Sequence, residues 1–413
     1  MRRVVVTGMG ALTPLGNTID TYLTGLKNGV SGAGPITLFD ASLFKTRFAC
    51  EVKGFNVDTI LDKKESKRMD RFAHFAMATA FDAIKDSGIN LESVDMDDAG
   101  VIWGSGIGGL NSLEQEIIDF GRGNGTPRFN PFTIPRMISD IAAGHISIHF
   151  GFRGTNYSTV SACASSNHAI LNAYDEIKLG RADLMVTGGS EAAIIPTGVG
   201  GFNAMKALSE RNDAPATASR PFDKDRDGFV LGEGAGCLIL EEYEHAKKRG
   251  AKIYAELLGG GSTADAYHIT APHPEGRGAL SVMKKTLKYA QVSAEDVDYI
   301  NVHGTSTPLG DIAEIKAIQT IFGDHAYKMN ISSTKSMTGH LLGAAGAIEA
   351  IACILAINHD FIPPSINHFT DDPEIDSRLN LTFNEAQHRK INIALSNTFG
   401  FGGHNTSVIF KRV

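Results

Sequence analysis

Residues 157–170 read YSTVSACASSNHAI, and the fold turns on how this stretch is divided. A β-rich run ends at Ser161–Ala162. From Ala164 onward, Ala169, Ile170, Ala173 and Ile177 recur on one helical face. The segment is therefore a strand, a sharp turn and a helix, with Cys163 in the turn. Similar strand patterns occur at 3–7, 100–103, 184–187 and 236–240, then at 253–259, 299–302, 330–333, 391–395 and 406–410. Helical patterns occur at 67–86, 110–120, 164–178, 241–249, 278–289, 311–321 and 340–358. Strands alternating with long helices indicate an α/β architecture with buried sheets. The Gly-, Pro- and Asn-rich stretch 121–135 reads as a long loop. The best internal break lies near 248–251. No repeat is visible, so periodicity alone does not establish two related halves.

The 413 residues include 42% hydrophobic and 21% charged side chains, enough for a large core and unlike a disordered chain. A net charge of −7 argues against nucleic-acid binding through bulk positive charge. The 45 glycines exceed the usual ~7% share without a repeat period, so tight turns are expected to use them. The N-terminus reads as a strand rather than a signal peptide. The apolar stretch 343–357 carries Glu349 and falls short of a bilayer span. Cytoplasmic location without membrane insertion is the expectation. The four cysteines are far apart and lack C-x-x-C spacing, so neither a disulfide framework nor a metal site is expected.

Cys163 at the start of a helix meets unsatisfied N–H groups and the positive end of the dipole. Its pKa is expected to fall, as an acyl-transfer nucleophile requires. The other reading is a buried inert thiol, which is the reading for Cys50, Cys237 and Cys353. His303, in VHGTSTPLGD (302–311), stands at the C-terminal end of an apolar strand, where α/β sites collect. In KSMTGHLLGAAG (335–346), a strand ends at Lys335 and His340 opens a helix. The dipole there should keep His340 neutral, as an N–H donor. Either histidine alone also reads as a surface or cap residue; together with Cys163 they suggest a site. NTFGFGGHN (397–405) is a Gly-rich bend that lets a ligand approach backbone N–H groups, or an ordinary hairpin.

Other motifs fail on context. GSGIGG at 104–109 matches G-x-G-x-x-G but lacks the later strand-end acid of a dinucleotide site. SSTK at 332–335 lacks the companion motifs of penicillin-binding enzymes. His145 and His149 lack the glutamate of H-E-x-x-H.

The motifs around Cys163, His303, Lys335–His340 and 397–403 occur in order along essentially the whole chain. The set resembles the β-ketoacyl-[acyl carrier protein] synthases, most closely the synthase II group of dissociated fatty-acid systems. The resemblance implies a thiolase-like, five-layered αβαβα fold. Its two similar halves would be 1–250, carrying the cysteine, and 251–413, carrying both histidines. It implies a homodimer, an acyl carrier protein partner, and no cofactor. Cys163 would take the acyl chain, and His303 and His340 would bind the malonyl thioester carbonyl. Lys335, near Glu349, would orient the histidines. The N–H groups of Cys163 and Phe401 would form an oxyanion hole, with the Phe401 side chain as a gate. Thr305 and Thr307 would bind pantetheine, and Ile107 and Phe202 would bound the acyl tunnel. Lys63, Lys64, Lys67 and Arg68, with Lys206 and Arg211, would receive the acidic carrier. His404 departs from the family's usual GFGGTN. A ketosynthase of a specialised pathway and a non-catalytic chain-length partner remain as alternatives. Cys163 speaks against the latter, and His340 against the initiating synthases.

Overall fold

The computed structural model describes residues 2–413. Ten strands build the main sheet. These are β1 (Val4–Leu12), β2 (Ala99–Gly104), β3 (Asn156–Thr159), β4 (Leu184–Glu191) and β5 (Gly234–Glu242). The others are β6 (Ala255–Ala264), β7 (Tyr299–Asn301), β8 (Asn330–Ser332), β9 (Ile393–Gly400) and β10 (His404–Lys411). Each expected strand overlaps one of them. The order across the sheet is β8-β7-β9-β10-β6-β1-β5-β4-β2-β3.

That order holds a repeat the sequence hides. Counting outward from the middle, the first five strands run first, fifth, fourth, second, third, and the last five do the same. In both sets the two inner pairings are antiparallel and the two outer ones parallel. The sets join through a short antiparallel pairing, Val4–Leu257 to Val6–Ala255.

Five helices complete the layers: α1 (Arg71–Ser87), α2 (Ser165–Lys178), α3 (Arg277–Ala290), α4 (Pro308–Phe322) and α5 (Ala345–His359). Strand alternation decides what each one covers. On β5, Leu238 and Leu240 join Ile170, Ile177, Ile351 and Ile354 in a central core. Cys237 and Ile239, pointing the other way, pack with Phe72, Phe75 and Ala80 of α1. On β10, Val408 and Phe410 enter the central core, while Ile409 packs with Met283 of α3 and Ile315 of α4. The result is helix, half-sheet, helix pair, half-sheet, helix: the thiolase-like α/β arrangement.

Three expectations need correction. Not all glycines serve turns: Gly8 and Gly10 lie within β1, against α1. A Cβ on either would come 2.3 Å from Ala83 O or 2.1 Å from Thr79 O. The last long helix starts at Ala345, not His340, because Leu342 takes φ +49° and breaks the helix there. The helical run Leu342–His359 does reach a membrane-spanning length, but 89% of it is buried in the protein, between the half-sheets.

Candidate active site

Cys163 sits in a single tight turn, Ala162–Ala164, between the end of β3 and α2. Ala162 adopts φ +51°, which reverses the chain and turns the cysteine inward. Gly400, at the tip of β9, packs on this turn; a Cβ there would lie 2.6 Å from Ser161 O. His340 lies between the short helix Lys335–Thr338 and the turn Leu342–Ala344. Its Nε2 is 2.9 Å from Cys163 Sγ. His303 follows β7, and its ring lies 5.2 Å from that of His340 in an edge-on arrangement. All three side chains face one cavity of about 600 Å³.

Charge around the cavity is organised by Lys335, which is buried and ion-paired to Glu349, itself fully buried. Burial raises the Glu349 carboxyl to about 7, against the pull of Lys335. Glu314 is likewise raised to about 7 by burial. It accepts from the N–H groups of His303 (3.0 Å) and Gly304 (2.9 Å) and from Asn397 Nδ2 (3.0 Å), and so holds the His303 backbone in place. Burial, then the Lys335 cation, push both imidazoles well below their ordinary value, with His340 adding to the effect on His303. Both are therefore neutral. For His340 this outcome was expected, but its cause is burial and Lys335 rather than a helix start.

The cysteine differs from expectation. Burial raises its thiol to about 12; Lys335 opposes the rise, the Glu191 carboxylate adds to it, and the N–H groups of Phe401 and Cys163, which point toward Sγ, oppose it again. The resting group is a thiol, and His340 Nε2 faces it within hydrogen-bonding distance.

The remaining candidates divide. Phe401, Thr305, Thr307, Ile107 and Phe202 all line the cavity. The two threonine hydroxyls are 3.0 Å apart. Phe202 stacks edge-on with Phe229, which does the same with His340. Lys206 stands at the cavity and Arg211 pairs with Asp227 at 3.6 Å. Lys63, Lys64, Lys67 and Arg68 form an exposed group around the short helix Lys63–Ser66, and none lines the cavity. His404 is exposed at the start of β10, opposite Gly400. Sequence reasoning missed Glu314 and Glu191, both buried carboxylates that bind backbone N–H groups and carry no motif. Among the described residues no group of three or more His, Cys, Asp or Glu could hold a metal.

The family described as Beta-ketoacyl synthase, N-terminal domain, matches residues 1–246. Its companion, Beta-ketoacyl synthase, C-terminal domain, matches residues 254–369. The chain belongs to the β-ketoacyl synthase family. Among its β-ketoacyl synthase relatives, the 3-oxoacyl-[acyl-carrier-protein] synthase 2 of Synechocystis sp. is 51% identical over 414 residues, covering 100% of this chain and 98% of that protein. The crystal structure of a β-ketoacyl synthase from Burkholderia phymatum superposes with a TM-score of 0.93 at 37% identity, covering 100% of both chains. A type II polyketide ketosynthase, solved with its acyl carrier protein, gives 0.91 at 33% identity, covering 100% of this chain and 99% of that one.

The neutral imidazoles lead to a measurable expectation. Lowered values in the fold mean that His303 and His340 do not take up protons near 6.5, where unfolded histidines do. The unfolded chain then binds more protons below that pH, so these two residues make stability fall as pH drops through it. In histidine-labelled protein, ring nitrogen NMR signals of both residues should stay at neutral positions from about pH 8 to about pH 6. Titration of either near 6.5 overturns this assignment.

Proposed function

We infer that this chain is an elongating condensing enzyme of fatty-acid synthesis. It is an acyltransferase that joins an acyl group to malonyl-[acyl carrier protein] with loss of carbon dioxide, giving a 3-oxoacyl-[acyl carrier protein]. One observation carries the reading: Cys163 Sγ lies 2.9 Å from His340 Nε2, beside His303, in one cavity. Cys163 attacks the acyl thioester. Its proton passes to the departing pantetheine sulfur, which leaves as a thiol. The N–H groups of Cys163 and Phe401 stabilise the oxyanion. In the second half-reaction His303 and His340 donate to the malonyl thioester oxygen. The bond to the carboxylate breaks, carbon dioxide leaves, and the enolate forms. Two neutral donors stabilise that developing charge more than they stabilise the ground state, which is the catalytic effect. The enolate attacks the acyl-Cys163 carbonyl, the carbon–Sγ bond breaks to release the 3-oxoacyl product, and the Cys163 thiolate takes one proton from solvent. Burial and the Lys335 cation keep both imidazoles neutral, and Glu349 holds Lys335 in place. Thr305 and Thr307 bind the pantetheine arm, Phe401 gates the cavity, and Ile107 and Phe202 bound the acyl tunnel. No cofactor is invoked.

A polyketide ketosynthase would perform the same chemistry; the similarity to a polyketide structure favours that second reading. The higher identity to a 3-oxoacyl-[acyl-carrier-protein] synthase 2 favours the first. A non-catalytic partner would have no use for a cysteine beside two histidines.

The chain divides into halves 1–250 and 251–413, consistent with the repeated strand order, and works in the cytoplasm. It acts as a homodimer through β3. The far edge of the sheet, β8, is covered by the segment around Asn380, whereas β3 pairs on one side with β2 alone. Tyr157 and Val160 are exposed on this edge. A second copy supplies both the missing strand partner and cover for these side chains. The carrier protein is the other partner, received by the basic groups at Lys63–Arg68 and at Lys206 and Arg211.

Three experiments test these statements. Cys163→Gln should abolish condensation and leave malonyl decarboxylation running; a folded variant without decarboxylation contradicts the division of labour between Cys163 and the histidines. Sedimentation should give a dimer mass for the native chain and a monomer mass for Ser158→Pro, which places a proline in the β3 edge. A native monomer, or a folded Ser158→Pro dimer, removes the interface. Charge reversal at Lys64 and Lys67 should raise KM for the carrier roughly tenfold with kcat little changed. An unaltered KM dismisses the patch.

A further inference from the structure

Glu191 ends β4 and is fully buried. Its Oε1 accepts from Ser105 Oγ at 3.1 Å and from the Ile107 N–H at 3.2 Å. Its Oε2 accepts from the N–H groups of Gly106 at 2.8 Å and Gly343 at 3.0 Å. No cation is among these partners. A carboxylate buried without a counter-charge is expensive, and its donors must offset that cost.

The donors come from two separate walls of the cavity. Ser105, Gly106 and Ile107 belong to the loop after β2. Gly343 belongs to the turn that precedes α5. Ile107, Gly106 and Leu342 line the same cavity as Cys163. The carboxylate is thus a tie between those walls, beside the nucleophile. The walls approach closely: a Cβ on Gly343 would lie 2.2 Å from Gly106 N and 2.7 Å from Glu191 Oε2.

We propose that Glu191 is a positioning residue for acyl-chain selection, holding Ile107 and Leu342 at a set separation beside Cys163. This rests on the condensing-enzyme reading. Acyl transfer to Cys163 depends on the tie, because the chain passes these walls. Malonyl decarboxylation depends on it far less, because both histidines are anchored elsewhere: the His340 N–H donates to Val230 O at 2.7 Å and its carbonyl accepts from the Gly232 N–H at 2.9 Å, while Glu314 holds the His303 backbone.

A glutamine at 191 keeps the shape but has one oxygen and one NH2 group. If the NH2 faces Gly106 and Gly343, both N–H groups meet a donor. If it faces the other way, Ser105 can turn to accept, but the Ile107 N–H cannot. Either choice loosens a wall. Ser105→Ala removes one donor to Glu191 and the acceptor of the Gly108 N–H at 3.1 Å, loosening only the wall after β2, and is the milder change.

The test uses the full chain and compares acylation of Cys163 from carrier proteins bearing a short and a long acyl group. Decarboxylation is read separately in a Cys163→Gln background. Glu191→Gln should shift the long-to-short ratio of kcat/KM about tenfold toward long chains, and Ser105→Ala about threefold, with decarboxylation within about twofold of the control. If Glu191→Gln does not fold, Ser105→Ala decides. An unmoved ratio, or an equal loss of both half-reactions, overturns the proposal. A native chain that does not condense at all overturns the functional reading instead.

Discussion

The site depends on one close approach. The N-terminal turns of α2 and α5 are buried together between the half-sheets. Small residues and shared hydrogen bonds let them meet: a Cβ on Gly346 would lie 2.6 Å from Asn167 Oδ1. Ser166 Oγ accepts from the Ala347 N–H at 3.0 Å. One turn carries Cys163, and the other follows directly on His340. Their meeting brings together atoms separated by 177 residues of chain. The contact exists only when both half-sheets are assembled around the helix pair, so the site and the central core form together.

Burial then decides the electrostatics. A helix start stabilises a thiolate by 0.3–1 kcal/mol, up to about 2, which corresponds to at most ~1.5 pKa units. Full desolvation can move a group by about 3–5 units the other way. Desolvation wins at Cys163, which stays a thiol at rest. The same burial, with Lys335, keeps the imidazoles uncharged. Both effects suit a site that stabilises negative charge only as it develops. A neutral N–H donor does not bind a resting anion strongly, and a thiol is not lost to stray electrophiles.

Much of this was legible in the sequence. β-branched runs placed every strand of the main sheet, since buried strands need such side chains whatever their neighbours are. Strand order was not legible, because parallel crossovers leave no local mark. Cys163, His303 and His340 were found because each lies at an element end with an unusual residue type. The early helix start assigned to His340 failed because a single positive φ at Leu342 has no signature in a run of apolar residues. The thiol's pKa was misjudged because sequence shows the helix start but not the depth of burial. Glu191 and Glu314 were invisible for a related reason: their partners are backbone N–H groups, which every sequence has.

The duplicated architecture also explains how the two halves came to do different work. The turn Ala162–Ala164 before α2 and the turn Leu342–Ala344 before α5 occupy equivalent places, each opening at a positive φ, +51° and +49°. Cys163 in the first corresponds to Gly343 in the second. In the first, the N–H points toward Sγ, and the side chain is the proposed nucleophile. In the second, the N–H binds Glu191, and no side chain fits, because Gly106 N stands where a Cβ would be. The repeated backbone offers two inward-facing turns beside one cavity. Packing on Glu191 closes the second and leaves the first facing the cavity, so a repeated scaffold presents a single sulfur there.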